Sequence, residues 1–284
     1  MNKWIIAGIL LAAGIVRAEQ LERPDANTLW LENGKEIKLG KKPYLRHWFT
    51  LGGKKELEIK PLENGKGFSF FGKDANGRKT TTLVKVSPEY PWLVFRITGL
   101  DLLKGYRNWT VAMDLGLQTF QDTTPQKGIY VFDLYQNLPE KAAARKTSYI
   151  DFWVYNLRMD FEYIKLVKKP DYAVRAECAD AEIKPGSKVK FIAELAKEAE
   201  DVSISLFSNG QPSPVKINGN IKIQLKPTDK TQKVWTAEVE FKNIGLRKPS
   251  KRHKLFMKMD VLGGDLDEPV WVGLPFAVTP KVEK

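Results

Sequence analysis

Two segments combine aromatic rings with basic and amide groups, a mixture that suits carbohydrate binding. They span Lys41–Thr50 and Leu103–Thr110. Aromatic rings stack on the apolar faces of sugars, while polar neighbours fix the hydroxyl groups. Most tryptophans in a β-sandwich belong to its core, so we interpret Trp92 and Trp153 as packing residues. Packing is also the alternative for Trp48 and Trp109. The predicted ligand-binding residues are Tyr44, Arg46, Trp48, Tyr106, Arg107 and Trp109.

A basic cluster lies further along the chain, with five Lys and Arg among the eight residues 247–254. Such a cluster could bind an anionic glycan or a phosphate-bearing polymer. A solvated loop between two strands is the alternative interpretation. The predicted anion-binding residues are Arg247, Lys248, Lys251, Arg252 and Lys254.

The residues needed for hydrolysis are present, but no motif brings them together. The two histidines, His47 and His253, lie beside no G-x-S-x-G nucleophile turn. Glycoside hydrolysis needs only two carboxylates on either side of the bond. The carboxylates on or beside predicted N-terminal strands are Asp114, Asp122, Asp133 and Asp151. No spacing singles out a pair, so we predict no catalytic residue and keep a small hydrolase as an alternative.

Metal and cofactor sites are also not expected. The single cysteine, Cys178, excludes a disulfide within the chain and a cysteine-based zinc site. The acidic turn Asp265–Glu268 could offer oxygen ligands to calcium, but it lacks the length and ligand spacing of an EF-hand loop. We interpret it as a turn between strands and predict no metal and no cofactor.

The first eighteen residues resemble a secretory signal peptide. Lys3 precedes an apolar run from Trp4 to Val16, and Val16-Arg17-Ala18 offers a cleavage site. The apolar run is shorter than the roughly 20 residues that span a bilayer. An uncleaved N-terminal anchor is the alternative. We predict an exported chain that is periplasmic, at the cell surface or extracellular, with a mature part that does not span the membrane.

The net charge narrows the class of partner. The formal charge is +12 at pH 7. For an exported chain without a nucleic-acid-binding motif, nucleic acid is not an expected partner. Carbohydrate or an anionic envelope polymer suits this charge better, and a protein partner stays open. Lysines that protect exposed sheet edges are the alternative explanation.

The rest of the 284-residue sequence predicts short strands separated by Gly, Asn, Pro and Lys, with 43% hydrophobic and 28% charged residues. Among the predicted strands are Thr28–Glu32, Ser148–Tyr155, Phe161–Val167, Lys188–Leu195 and Val270–Val278. Within this pattern, residues 74–77 (D-A-N-G) predict a turn and Pro139–Lys146 a short helix. Lys168-Lys169-Pro170-Asp171 looks like a boundary. We therefore predict an all-β fold of two β-sandwich domains, at residues 19–170 and 171–284.

Two runs in the first domain carry a resemblance to a known family. Residues 90–97 (Y-P-W-L-V-F-R-I) resemble an early core strand of the galactose-binding-like jelly roll of many carbohydrate-binding modules, and residues 149–157 (Y-I-D-F-W-V-Y-N-L) resemble its closing strand. In the closing strand of that family an exposed aromatic often precedes an Asp-Asn or Asp-Asp pair. Here Tyr155-Asn156 stands at that place, without the acidic member. The second domain is similar to immunoglobulin-like domains, on pattern alone.

Together these features predict an exported, non-catalytic protein that recognises carbohydrate through its N-terminal jelly-roll-like domain. The immunoglobulin-like domain would then act as a spacer or protein contact. The alternatives are an adhesive or structural envelope protein that binds other proteins, and a small hydrolase.

Overall fold

A computed structural model describes residues 25–35, 37–40, 47–50, 57–80, 88–103, 108–113, 117–122, 126–133, 149–180, 182–208, 213–246, 253–263 and 268–278. The strands in chain order are β1 (Thr28–Glu32), β2 (Lys38–Gly40), β3 (His47–Thr50), β4 (Leu57–Pro61), β5 (Phe68–Thr80), β6 (Trp92–Leu102), β7 (Asn108–Met113), β8 (Leu117–Asp122), β9 (Gly128–Asp133), β10 (Tyr149–Val167), β11 (Tyr172–Cys178), β12 (Glu182–Ile183), β13 (Lys188–Leu195), β14 (Asp201–Ser208), β15 (Lys216–Ile217), β16 (Ile223–Gln224), β17 (Lys226–Pro227), β18 (Val234–Glu240), β19 (Ile244–Gly245), β20 (His253–Leu262) and β21 (Val270–Val278). The predicted all-β sandwich fold is confirmed.

Alternation of side chains explains where many strands form. In β13 the even-numbered Lys188 and Lys190 are exposed, while Val189 and Phe191 are buried completely. The predicted strands Thr28–Glu32 and Val270–Val278 coincide with β1 and β21. None of the described residues forms a helix with the length and apolarity needed to cross a membrane.

The predicted turn at residues 74–77 is wrong, because these residues lie inside the long strand β5. Asn76 pairs with Trp153 of β10, and Gly77 pairs with Phe152 on one side and Thr50 of β3 on the other. Backbone hydrogen bonds on both edges outweigh the local preference of Asn-Gly for a turn.

A single strand, β10, runs through the N-terminal half where two strands were predicted. Its first part pairs with β7, and its second part, from Leu157, pairs with β6. Asn156 lies between the two parts with a φ of 55°, a left-handed conformation that Asn tolerates. The extra residue keeps Val154 and Leu157, both fully buried, on the same face of the strand.

The strands form one 15-stranded sheet, one four-stranded sheet and one two-stranded sheet. The large sheet has the main order β16-β14-β20-β21-β9-β6-β10-β5-β3-β2, and the four-stranded sheet has the order β11-β13-β18-β17. The large sheet therefore contains strands from both predicted domains. They meet where β9 and β21 pair in parallel, with Val270 opposite Ile129 and Val272 opposite Val131.

Two hydrophobic cores cover opposite faces of these shared strands. In β9, Val131 faces the core of the C-terminal half, whereas Tyr130 and Phe132 face the core of the N-terminal half. In β21, Val270 faces the core of the C-terminal half and Trp271 faces the core of the N-terminal half. Strands covered on both faces read as continuous apolar runs, which explains the sequence of β9.

A half-buried ion cluster also joins the two halves. The Arg96 guanidinium of β6 donates to both carboxylate oxygens of Glu268, at 3.0 and 2.8 Å, and to Glu162 of β10, at 2.7 Å. The hydrogen bonds to Glu268, together with the charges of both glutamates, hold the pKa of Arg96 above its usual range. Burial raises the pKa of the neighbouring Tyr163 to about 12.

The division into domains at residue 170 stays a prediction, and so do the jelly-roll and immunoglobulin subtypes. The shared sheet and the Arg96 cluster nevertheless show that the two halves are packed directly against each other. The predicted signal peptide and the predicted helix Pro139–Lys146 lie outside the described residues.

Candidate functional site

Trp48, one of the predicted ligand-binding residues, is a core residue. Its side chain is 0% exposed, and its ring lies 6.1 Å from Phe68 and 5.7 Å from Phe70, measured between ring centroids. A ring that stacks on a sugar needs an exposed face, so the prediction for Trp48 is corrected. The sequence could not separate these roles, because a core tryptophan and a platform tryptophan have the same composition around them.

The other predicted ligand residues are only partly described. Tyr44, Arg46, Tyr106 and Arg107 lie outside the described residues. Trp109 lies in β7, opposite the fully buried Val154 of β10.

The backbone shows how the two predicted ligand segments enter the sheet. Strands β3 and β7 run antiparallel to each other, with β5 and β10 between them. Trp48 of β3 pairs with Lys79 of β5, which in turn pairs with Ile150 of β10. Asn108 of β7 instead pairs with Tyr155, five residues further along β10. Five residues along a strand correspond to about 16 Å. The two segments therefore enter at different ends of the sheet and do not form one platform there.

The basic cluster is represented in the described residues by Lys254 alone, opposite Ala277 in the β20–β21 ladder. Arg247, Lys248, Lys251 and Arg252 lie outside the described residues. Its predicted role in anion binding stays a prediction.

The predicted carboxylates do not share one location. Asp151 and Asp122 occupy opposite faces of the β10–β7–β8 sheet, because Asp151 is opposite Ala112 whereas Asp122 is opposite Trp109. Asp133 ends β9, and Asp114 lies outside the described residues. In the acidic turn, Glu268 binds Arg96. Among the described residues no three His, Cys, Asp or Glu side chains group as metal ligands.

A different surface combines aromatic and polar residues. On β10, Leu157 and Met159 are fully buried, whereas Arg158 between them is exposed. Arg158 lies opposite Phe71 of β5, and its guanidinium carbon is 5.4 Å from the centre of that half-buried ring. Lys73, also exposed, lies opposite the half-buried Tyr155. We call the surface formed by Phe71, Lys73, Tyr155 and Arg158 the outer face.

The ladder continues the outer face along β10. Because alternate residues of a strand share a face, Trp153 and Asp151 occupy the same face as Tyr155, while Phe152 shares the face of the buried Val154. The register positions beside them on neighbouring strands are mainly polar: Asn76, Arg78, Thr110 and Gln121. By register this face therefore combines aromatic residues with amide, hydroxyl and charged residues, the composition that sugar recognition uses.

The sequence itself carries a signal for this surface. In residues 150–154 (I-D-F-W-V), one set of alternate positions holds Ile150, Phe152 and Val154, and the other holds Asp151 and Trp153. Because the first set is entirely apolar, the second set is expected to face away from the core. Trp153 was instead interpreted as a packing residue.

Comparisons with known proteins identify no family. No family model matches the chain, and no curated protein matches its sequence. Distant similarity is found to a β-glucuronidase from Bifidobacterium dentium complexed with coumarin-3-O-glucuronide, with 7% identity over 70% of this chain and 39% of that chain and a TM-score of 0.27. A β-1,2-glucanase from Parabacteroides distasonis is 10% identical over 80% of this chain and 35% of that chain, with a TM-score of 0.26. A DUF4785 family protein from Legionella pneumophila is 12% identical over 78% of this chain and 63% of that chain, with a TM-score of 0.25. The chain spans less than two thirds of each of these structures. Similarities at these TM-scores carry no argument about function.

Proposed function

We propose that this chain is an exported, non-catalytic binding protein that recognises carbohydrate through the outer face of its N-terminal half. The observation that carries this proposal is the alternation along β10, where the fully buried Val154 and Leu157 lie on one face and Tyr155 and Arg158 on the other. By register, Asp151 and Trp153 belong to the face of Tyr155. A jelly-roll-like N-terminal domain and an immunoglobulin-like C-terminal domain are part of the proposal.

The outer face supplies two kinds of contact that a sugar needs. The Phe71 and Tyr155 side chains are half-buried, so part of each is exposed on the outer face. The exposed Arg158 adds guanidinium donors for hydroxyl or carboxylate groups on the same surface. Both halves share one sheet, so the C-terminal half would hold this surface at a fixed orientation.

The test is a glycan array probed at about 150 mM salt, where diffuse charge attraction is largely screened over a Debye length of about 8 Å. We expect selective binding to one glycan family, weakened at least tenfold by Trp153→Ala, Tyr155→Ala or Arg158→Ala, because aromatic and arginine anchors dominate binding energies. Arg175→Ala is the matched control, since Arg175 is an exposed strand arginine in the C-terminal half.

Other results would overturn parts of the proposal. If the folded protein binds no glycan on the array, carbohydrate recognition is rejected and a role in protein contacts is favoured. Binding of sulfated or uronic glycans that persists in the three variants, and is lost on removing Arg247 and Lys248, would move the site to the basic cluster. Release of shortened glycans that Asp151→Asn abolishes would reject the non-catalytic assignment.

A further inference from the structure

A groove of about 440 Å³ lies in the C-terminal half, away from the outer face. Its volume falls within the range of ligand-binding clefts. One wall is the edge of β18, and the other is the chain from Ile217 to Lys226. Nothing in the proposed carbohydrate site uses this groove.

The groove exists because the sheet edge at β18 is interrupted. Strand β17 pairs with β18 only at Lys226–Thr236 and Pro227–Trp235. The residues before β17 belong to the opposite sheet, where Gln224 pairs with Ser203 of β14. Past Thr236, no described strand lies beside β18 on this side.

The backbone of Glu238 points into the gap. Lys233 accepts a hydrogen bond from Leu195 on the β13 side, whereas Val234 accepts one from Thr228 on the β17 side, each at 2.8 Å. Successive residues of a strand direct their backbone N–H and C=O groups to opposite edges. The odd-numbered residues of β18 therefore direct these groups toward β13, and the even-numbered residues direct them toward the groove. Glu238 therefore presents one donor and one acceptor there.

Asn218 closes the far end of the gap with its side chain. Its Nδ2 donates to the Glu240 carbonyl at 2.7 Å, and its Oδ1 accepts from the N–H groups of Lys242 and Asn243 at 2.9 and 3.0 Å. Asn218 has a φ of 52° and Gly219 a φ of 88°, in a tight turn closed by hydrogen bonds between Ile217 and Asn220. The amide thus stands where a strand residue would pair with Glu240.

The charged residues that line the groove are Lys222, Lys226 and Glu238, and of these Lys226 favours an acidic group on the occupant. Lys226 is exposed and forms no ion pair within the described part of the chain, while Lys222 lies 3.8 Å from Asp260, which is also bound by Lys258 at 2.8 Å. The whole chain carries +12 at pH 7, which steers acidic partners toward it.

We propose that this groove binds an extended, acidic segment of another polypeptide, which completes the interrupted edge of β18. An uncharged residue of the segment pairs with the N–H and C=O of Glu238, because a carboxylate there would oppose that of Glu238, and an acidic side chain elsewhere in the segment faces Lys226. A second copy of this chain fits poorly. Antiparallel pairing of two β18 edges about Glu238 would place this carboxylate opposite itself, and directly opposed like charges destabilise a sheet.

The probe is a phage-displayed library of random twelve-residue peptides, selected against the whole chain. Selected peptides are synthesised, and their binding is measured by fluorescence anisotropy. We expect Asp- or Glu-containing peptides that bind Glu238→Pro at least tenfold more weakly than the unmodified chain. Proline removes the N–H directed at the groove and leaves the β13 ladder intact, since edge positions of this kind tolerate proline. The matched control is Glu238→Ala, which keeps the N–H and changes binding less than threefold.

A second measurement keeps the test decisive if Glu238→Pro fails to fold. N-methylation of alternate peptide amides removes the peptide's donors without changing its side chains, and we expect it to abolish binding to the unmodified chain. Lys226→Glu should weaken the acidic peptides at least fivefold.

Three outcomes would overturn the proposal. The library could yield no peptide that binds the chain, or the selected peptides could bind equally well after N-methylation. The chain could also associate with itself through a contact that Glu238→Pro abolishes. Because Tyr155→Ala lies in the other half, it should leave peptide binding unchanged, so failure of carbohydrate recognition and failure of this groove are distinguishable.

Discussion

Replacement of Arg96 by Met should weaken the junction between the two halves of the chain. Methionine keeps an aliphatic side chain in place but removes the guanidinium that binds Glu162 and Glu268. Three charge-assisted hydrogen bonds of 2.7 to 3.0 Å are lost, and two carboxylates are left without their shared cation.

The geometry sets the size of the effect. The side chains of Arg96, Glu162 and Glu268 are 34%, 36% and 27% exposed, so the cluster is intermediate between a surface and a buried ion pair. Charge-assisted hydrogen bonds contribute about 1.5–3 kcal/mol when buried, and exposed ion pairs about 0–1 kcal/mol. With about 1 kcal/mol for each bond, we expect a loss of roughly 2–3 kcal/mol in the free energy of unfolding.

Equilibrium unfolding in urea measures this change, and Arg175→Met is the matched control. Arg175 lies 3.6 Å from Glu177 and 3.2 Å from Glu194, but it is 49% exposed, so its loss should cost less than about 1 kcal/mol. Amide exchange adds a local readout, because the Ile129 N–H donates to Pro269 at the junction and should exchange faster in Arg96→Met. Equal losses in the two variants, or no change at Ile129, would refute this reasoning.

Two further predictions concern burial and backbone conformation. Burial raises the pKa of Tyr163 to about 12 from an ordinary value near 10. The stability that comes from keeping this phenol protonated is therefore complete below pH 10 and is lost as the pH rises through 12. Unfolding measured at several alkaline pH values should show a loss of roughly 2–3 kcal/mol in the free energy of unfolding, which Tyr163→Phe should lack. Equal pH dependence in both proteins would contradict it. Gly67→Ala should destabilise the chain by more than about 3 kcal/mol, because a Cβ there meets the carbonyl oxygen of Phe161 in addition to a φ of +101°. Gly65→Ala is the control, with a φ of +68° but open space around it, and should cost about 1–2 kcal/mol in thermal unfolding; similar melting temperatures for the two variants would argue against the steric explanation.

In the candidate site, the sequence alone does not distinguish a core tryptophan from one on the outer face. The rings of Trp48 and Trp153 could not be separated by composition, since each lies among aromatic and polar neighbours. Pairing partners separate them. Trp48 packs on Phe68 and Phe70, whereas Trp153 shares a strand face with Tyr155. The groove beside β18 was missed as well, although the Asn218-Gly219 pair is a strong local turn signal.

The sequence by itself determined the strand content and many strand bounds, because alternation and turn residues act over a few neighbouring positions. Val270–Val278 and Lys188–Leu195 were predicted with the bounds that the structure has. Tertiary structure decided everything that depends on partners distant in the chain. It made a strand of residues 74–77, joined β9 to β21, and buried Trp48. Hydrogen bonds on both edges of a strand and burial on both faces exceed any local preference, and no local pattern specifies which distant segment supplies them.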